Sequence, residues 1–192
     1  MVMDGASAPV PDDAEAAVPP QQDWAAAAAS GRAQRLVVSK DEGAATDVVP
    51  GNDVLIPPVL LQSLIDAARA GLPDEACGIV AGDRPAREGG TPTAFYALRN
   101  AAESPYRYLV DPEEQLRVTL AIDDADEAVW GIFHSHVASA AEPSATDVGL
   151  AQYPDALYLI CSLAGDLPVV RAWSIRDGAV LEAAITVGSE VT

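Results

Sequence analysis

The feature that most constrains the fold is an apolar run, residues 128–133, that leads directly into His134-Ser135-His136. The run predicts a buried strand, and side chains at positions i and i+2 of a strand point to the same face. These are the only 2 histidines in the chain. We therefore expect both imidazoles to project side by side from the end of the strand, an arrangement typical of a divalent metal site.

Two residues shortly after the histidines have two interpretations each. Ser144 and Asp147 follow Pro143, and this Ser-x-x-Asp pattern predicts a capping box at the start of a helix. Side chains of a first helical turn point back past the helix N-terminus, so Asp147 is also a candidate third metal ligand. Three protein ligands would leave the fourth position of a zinc site open for water. We favour the metal interpretation for Asp147.

A hydrolytic metal site also needs a general base that is not itself a ligand. Glu75 is the candidate, because it lies where a helix gives way to a buried strand, in residues 73–78. An ionisable group there is unfavourable unless it has a partner. The alternative is an ordinary carboxylate in a surface turn, and the residues alone leave both interpretations open.

The chain divides into two compositional regions. Residues 1–50 carry 8 acidic and 3 basic side chains but few large apolar ones, which predicts a disordered tail. Residues 54–187 predict one α/β or α+β domain with about three helices around a single core. The expected helices begin at Pro57-Pro58, Pro112 and Ser144, the second with Leu116, Val118, Leu120, Ile122 and Ala125 as inner positions, and the expected strands are 77–81, 93–98, 106–110 (strand or extended), 128–133, 156–163, 169–175 and 179–186.

Charge and composition exclude several classes of function. A net charge of -18 repels phosphate backbones, so nucleic acid is not an expected partner. No apolar run approaches the roughly 18 residues of a membrane span, so no membrane association is expected. The first residues lack the pattern of a secretory signal, which favours a cytoplasmic protein. We expect the 2 cysteines, Cys77 and Cys161, to be reduced and buried.

Together, Glu75, His134-Ser135-His136, Ser144 and Asp147 resemble the signature of the JAMM (JAB1/MPN/Mov34) metallopeptidase family. That signature has a glutamate upstream, then His-Ser/Thr-His, seven residues, Ser, two residues and Asp. The resemblance covers residues 54–187. One position departs from it, since many members have Pro after the second histidine and this chain has Val137.

The resemblance implies the MPN/JAMM (cytidine-deaminase-like) fold, a mixed β-sheet flanked by helices. It implies one zinc ion per chain, bound by His134, His136 and Asp147. It also implies that Glu75 takes a proton from the attacking water and returns it to the leaving amine. Ser144 would then donate a hydrogen bond to the developing oxyanion.

Within the family the chain resembles a short, stand-alone bacterial branch. This implies a substrate in which the C-terminal Gly of a small ubiquitin-like (β-grasp) sulfur carrier is joined to cysteine, which hydrolysis releases for biosynthesis. Asn100, Ser104 and Tyr108 are candidate substrate-groove residues, with ordinary turn and surface roles as the alternative. Two other functions remain open, a JAMM isopeptidase acting on other ubiquitin-like conjugates and a non-catalytic MPN scaffold. A homodimer is compatible with the sequence.

Overall fold

A computed structural model of the protein describes residues 35–37 and 53–188. The disordered tail predicted for residues 1–50 lies outside these residues, except that the backbone of 35–37 forms a strand. The elements in chain order are β1 (Arg35–Val37), β2 (Asp53–Ile56), α1 (Pro58–Gly71), β3 (Cys77–Gly82), a 3-10 turn (Ala86–Glu88), β4 (Pro92–Leu98), α2 (Pro112–Asp124), β5 (Ala128–His136), α3 (Ala145–Leu150), β6 (Leu157–Ser162), β7 (Val169–Arg176) and β8 (Ala179–Val187).

The strands form one mixed sheet in the order β1-β4-β3-β5-β6-β7-β8-β2. The β5/β6 and β2/β8 pairs are parallel, and the other neighbouring pairs are antiparallel. This confirms the predicted mixed sheet with three helices. The histidine-bearing strand β5 lies near the centre of the sheet, between β3 and β6.

Helices cover both faces of the sheet. The apolar stripe of α1, Leu60, Leu64 and Ala68, packs in one cluster with residues such as Phe133 of β5. Val118 and Ile122 of α2 pack on the opposite face in a second cluster. Because side chains alternate along β5, Ile132 belongs to the α2 cluster while Phe133 belongs to the α1 cluster.

A bulge in β5 adjusts this alternation. The pairing with β3 passes from Val80–Gly131 to Ala81–Val129, which leaves Trp130 without a partner position. The extra residue brings Trp130 to the same face as Phe133, where both side chains are buried against α1. After the bulge the strand runs regularly to His136.

The structure corrects three details of the predicted elements. Leu120 and Ala125 of α2 are exposed, because the α-helix repeats every 3.6 residues and only Val118 and its i+4 neighbour Ile122 face the sheet fully. Residues 106–110, predicted as a strand or an extended segment, form no strand, and Val110 makes one isolated bridge to Asn100. Strand β2 was not expected, since it is short and lies at the edge beside β8.

In the region that the structure describes, no helix is long and apolar enough to cross a membrane.

Candidate metal centre and active site

The end of β5 places its side chains as the alternation of a strand predicts. His134 and His136 lie on the α2 face, and their Nε2 atoms are 3.1 Å apart. Ser135 points to the other face, where its Oγ accepts a hydrogen bond of 2.8 Å from the backbone N–H of Ala76. The backbone N–H of Ser135 donates to the Ala76 carbonyl at 2.9 Å. These two bonds fix the end of β5 against the start of β3.

Asp147 reaches the histidines from the first turn of α3. Ser144 is the N-cap of this helix, and its Oγ accepts a hydrogen bond of 3.2 Å from the Asp147 backbone N–H. In return, Asp147 Oδ2 accepts one of 2.7 Å from the Ser144 backbone N–H. The capping box therefore forms, and the same carboxylate still faces the imidazoles.

The donor atoms have the spacing of a tetrahedral zinc site. Asp147 Oδ1 is 3.4 Å from His134 Nε2, and Asp147 Oδ2 is 3.7 Å from His136 Nε2. Ligands about 2.0–2.1 Å from a tetrahedral zinc ion are about 3.3 Å from one another. The distances of 3.1 Å between the two imidazole nitrogens and 3.4 Å between His134 Nε2 and Asp147 Oδ1 lie close to that value, and 3.7 Å separates His136 Nε2 from the other carboxylate oxygen. Two imidazole nitrogens and a carboxylate are also the donors that zinc takes.

The environment of the two rings suits metal binding. His136 Nδ1 lies 2.6 Å from the Ala140 carbonyl, so this nitrogen carries the proton and Nε2 is left as the donor atom. His134 is fully buried, and Tyr108 stacks on its ring with centroids 4.5 Å apart. Its Nδ1 has no hydrogen-bond partner among the described residues.

Ionisation reinforces the same arrangement. Burial lowers the pKa of His134, which favours the neutral imidazole that binds metals. Burial acts against the charged forms of His136 and Asp147 as well, but other groups outweigh it: Asp147, the Ala140 carbonyl and Glu75 for His136, and His134, His136 and Ser144 for Asp147. The pKa of His136 is therefore raised and that of Asp147 is lowered, which keeps Asp147 a carboxylate.

Glu75 lies beside this cluster and is 5 % exposed. Cys77 pairs with His134 across the two strands, and the Ala76–Ser135 bonds continue that register by one residue. Alternation then places Glu75 on the face of the histidines, opposite His136. Burial raises the pKa of Glu75 to about 7, with His136 lowering it and Asp147 raising it. Glu75 is therefore not the surface-turn carboxylate of the alternative interpretation, and its role as a general base stays a prediction.

The predicted groove residues lie in the loop between β4 and α2. The Asn100 amide donates to the carbonyls of Glu75 and Arg107, while its oxygen accepts from the N–H groups of Ala102 and Leu109. Ser104 accepts the Glu75 backbone N–H through its carbonyl. Asn100 and Ser104 thus hold the backbone of Glu75, and Tyr108 covers His134. Substrate binding by these three residues stays a prediction.

Both cysteines are free and buried, as expected. Burial raises the pKa of Cys77 to about 12, so its side chain is a neutral thiol at physiological pH although it neighbours Glu75 and His134.

Sequence reasoning missed the groups that orient the ligands. The Ala140 carbonyl, the Ser135 hydroxyl and the stacking of Tyr108 on His134 all act on the site. Only Ser135 carried a signal, because the strand alternation already placed it on the face away from the histidines.

Comparison with known proteins gives three findings. A family model described as prokaryotic homologs of the JAB domain matches residues 57–176. The chain is 42% identical over 133 residues to the CysO-cysteine peptidase of Mycobacterium tuberculosis, covering 67% of this chain and 86% of that protein. It is also 42% identical over 105 residues to the desampylase of Haloferax volcanii, covering 52% of this chain and 73% of that protein.

A solved structure shares the fold. The solution structure of protein DSY2949 from Desulfitobacterium hafniense superposes with a TM-score of 0.60 at 34% sequence identity. The match covers 72% of this chain and 94% of that one.

Proposed function

Because this chain belongs to the prokaryotic homologs of the JAB domain, we propose that it is a zinc peptidase that cleaves after the C-terminal glycine of a ubiquitin-like protein. The observation that carries the proposal is the meeting of Glu75 with His134, His136 and Asp147 on one face of the sheet. These residues come from β5, α3 and the chain just before β3. They supply three metal ligands and a separate base.

His134, His136 and Asp147 would hold the zinc ion. When bound, zinc polarises a carbonyl and lowers the pKa of a water molecule to about 7. The protein fixes the donor atoms through the Ala140 carbonyl, the Tyr108 ring and the capping box of α3. These contacts leave the ligands little freedom to reorient, which favours one coordination geometry.

Glu75 acts as the general base and then as the general acid. Burial raises the pKa of Glu75 above that of an exposed glutamate, which makes its carboxylate a stronger base towards a water proton. As the water oxygen attacks the glycine carbonyl carbon, Glu75 accepts the proton. It then delivers that proton to the amine nitrogen as the peptide bond breaks.

Ser144 stabilises the negative charge on the glycine carbonyl oxygen. In the capping box its Oγ accepts a hydrogen bond from the Asp147 N–H, and its hydroxyl also acts on the Asp147 carboxylate, whose pKa it lowers. A hydroxyl has one proton to donate, so Ser144 would turn that proton from the carboxylate to the substrate oxygen when substrate binds. The cap and the oxyanion contact are compatible within one side chain.

For the substrate, we propose a small sulfur carrier whose C-terminal glycine is linked to cysteine. The similarity to CysO-cysteine peptidase extends over 67% of this chain, against 52% for the desampylase. The second candidate is an isopeptidase that removes a ubiquitin-like protein from lysine. A non-catalytic scaffold is disfavoured because every position of the JAMM signature is present. A cytoplasmic location and a homodimer remain predictions.

The test compares two conjugates of the same ubiquitin-like carrier. One ends in Gly-Gly-Cys, and the other joins its terminal glycine to a lysine side chain. Zinc-loaded protein is incubated with each, and intact mass spectrometry follows the product. We expect release of cysteine only. Cleavage of the lysine conjugate alone would favour the second candidate, and cleavage of neither with zinc bound would contradict the proposal.

Substitution of the base gives the matched control. We expect Glu75→Gln to retain zinc and to lose about 10²–10⁴-fold in rate, the usual contribution of a general acid–base. Glu88→Gln changes an exposed carboxylate in the 3-10 turn between β3 and β4 and should leave the rate unchanged. Equal rates for Glu75→Gln and wild type would remove Glu75 from the mechanism.

A further inference from the structure

The orientation of one metal ligand depends on the loop that follows it. Residues 137–142, here called the His136 loop, connect β5 towards α3. The Ala140 carbonyl of this loop accepts the Nδ1–H of His136 at 2.6 Å. Because this bond sets the ring's rotation and tautomer, the position of Ala140 determines where Nε2 points.

Two side chains from other strands hold the loop on either side of Ala140. Trp173 of β7 donates from Nε1 to the Ala141 carbonyl at 2.9 Å, and both residues are buried. Ser162, at the end of β6, donates from Oγ to the Ser139 carbonyl at 2.6 Å. The carbonyl that orients His136 is therefore flanked by two tethered carbonyls.

The Trp173 side chain is itself held in place. The guanidinium of Arg171 lies over its ring, 4.4 Å from the centroid. The same guanidinium donates to Glu142 Oε1 at 2.6 Å, at the far end of the His136 loop. It also makes two hydrogen bonds of 2.7 Å to Glu182 of β8. The indole is therefore an anchor attached to the sheet rather than a mobile side chain.

We propose that Trp173, together with Ser162, is a positioning residue for the metal centre, acting through the His136 loop. This inference rests on the proposed zinc site. The hydrogen bonds that Trp173 and Ser162 donate go to the His136 loop and not to a candidate ligand side chain, although Ser162 is the neighbour of His136 across the β5/β6 pair. Each fixes a carbonyl next to Ala140, and Ala140 fixes the imidazole of His136.

The test substitution removes the indole N–H donor of Trp173 and keeps an aromatic ring at that position. Trp173→Phe deletes the hydrogen bond to Ala141. Trp130→Phe is the matched control, because Trp130 is also buried and donates from Nε1 to the Gly90 carbonyl at 2.6 Å. Trp130 lies in the α1 cluster, on the sheet face away from the histidines. The zinc dissociation constant is measured by chelator competition, with the visible spectrum of the cobalt form as a second readout.

We expect Trp173→Phe to weaken zinc binding roughly 10-fold, at the lower end of the effect of groups that orient metal ligands. Its cobalt spectrum should change in band position or intensity. Trp130→Phe should have a zinc dissociation constant within about twofold of the wild-type value and should keep the wild-type cobalt spectrum. This should hold even if Trp130→Phe lowers the melting temperature as much as Trp173→Phe does. Equal zinc affinity in the two variants would overturn the inference while leaving the proposed function intact.

Ser162→Ala tests the other tether and covers the case in which Trp173→Phe does not fold. It removes the hydroxyl that binds Ser139, and we expect the same direction of change in zinc affinity and spectrum. Unchanged affinity in this variant would also overturn the inference. Failure of the wild-type protein to bind zinc would instead remove the proposed function, and the inference with it.

Discussion

At the scale of single residues, Ser144 performs two tasks with one hydroxyl. Its oxygen caps α3, and in the proposed mechanism its proton is donated to the substrate. We expect Ser144→Ala to lower kcat about 10²–10³-fold, the usual effect of losing an oxyanion donor. The same variant should lose about 1 kcal/mol of unfolding free energy with the cap. Peptidase assays and urea unfolding measure the two effects separately.

A conservative substitution of Ser144 further separates helix capping from the proposed stabilisation of the oxyanion. Ser144→Thr keeps the hydroxyl and should retain the cap and most of the rate. If Ser144→Ala is destabilised but hydrolyses at the wild-type rate, the side chain is only a helix cap.

The cluster of candidate ligands was predictable from the sequence because their spacing is local. His134 and His136 lie two residues apart on β5, and Asp147 lies in the first turn of the next helix, α3. The groups that orient them were not predictable, since Ala140 acts through its backbone carbonyl and Trp173 reaches the loop from 32 residues away. Every residue has a backbone carbonyl, so the residue type at position 140 does not indicate that its carbonyl binds His136.

At the scale of elements, Asp111 controls the start of α2. Its carboxylate accepts hydrogen bonds from the backbone N–H groups of Glu113 and Glu114 and pairs with Arg99. Burial acts to raise the pKa of Asp111, but the hydrogen bond from Glu114 and the contacts with Arg99 outweigh it and hold the pKa below its usual value. The folded state therefore favours the charged form.

This depressed pKa predicts how stability changes with pH. An unfolded aspartate has a pKa of about 3.9, so the contribution of Asp111 is fully present above that pH and is lost as pH falls through the lower folded value. Asp111→Asn keeps the cap but lacks the charge. We expect the unfolding free energy of wild type to exceed that of Asp111→Asn near pH 7, with the difference shrinking below about pH 4. Urea titrations across this range measure it, and a pH-independent difference would contradict the assignment.

The same helix shows what periodicity does and does not determine. The start of α2 followed from Pro112, as the structure confirms. Its buried face did not, because Leu116, Val118, Leu120 and Ile122 are spaced at every second residue, which fits no single helical stripe. Packing against the sheet determines which of these four side chains are buried, and it buries Val118 and Ile122.

At the scale of the whole molecule, the order of the strands brings the site together. The sequence predicted most strands and the hairpin between β7 and β8, but not that β3 would lie beside β5. That pairing is long-range, and it places Glu75 next to His136. The resemblance to the JAMM family predicted that Glu75 lies close to the histidines. The residues alone left Glu75 as either a general base or a surface carboxylate.

The position of the ligands predicts how the protein responds to metal removal. Two ligands lie on a central strand between two apolar clusters, whereas Asp147 lies on α3, a six-residue helix with no buried residue. Zinc at 1,000 times its dissociation constant would stabilise the folded state by about 4.1 kcal/mol. Chelation should therefore lower the melting temperature without unfolding the sheet.

The loss should be local, because zinc bound at the proposed site would tie α3 to β5 while the apolar clusters hold β5 itself. Hydrogen exchange with and without chelator should show faster exchange in α3 and unchanged protection in the central part of β5. Asp147→Asn keeps an oxygen that can accept the Ser144 N–H but should lose most zinc affinity, so its exchange pattern should match that of the chelated protein. Equal loss of protection in both elements would mean that the metal supports the core and not only the attachment of α3.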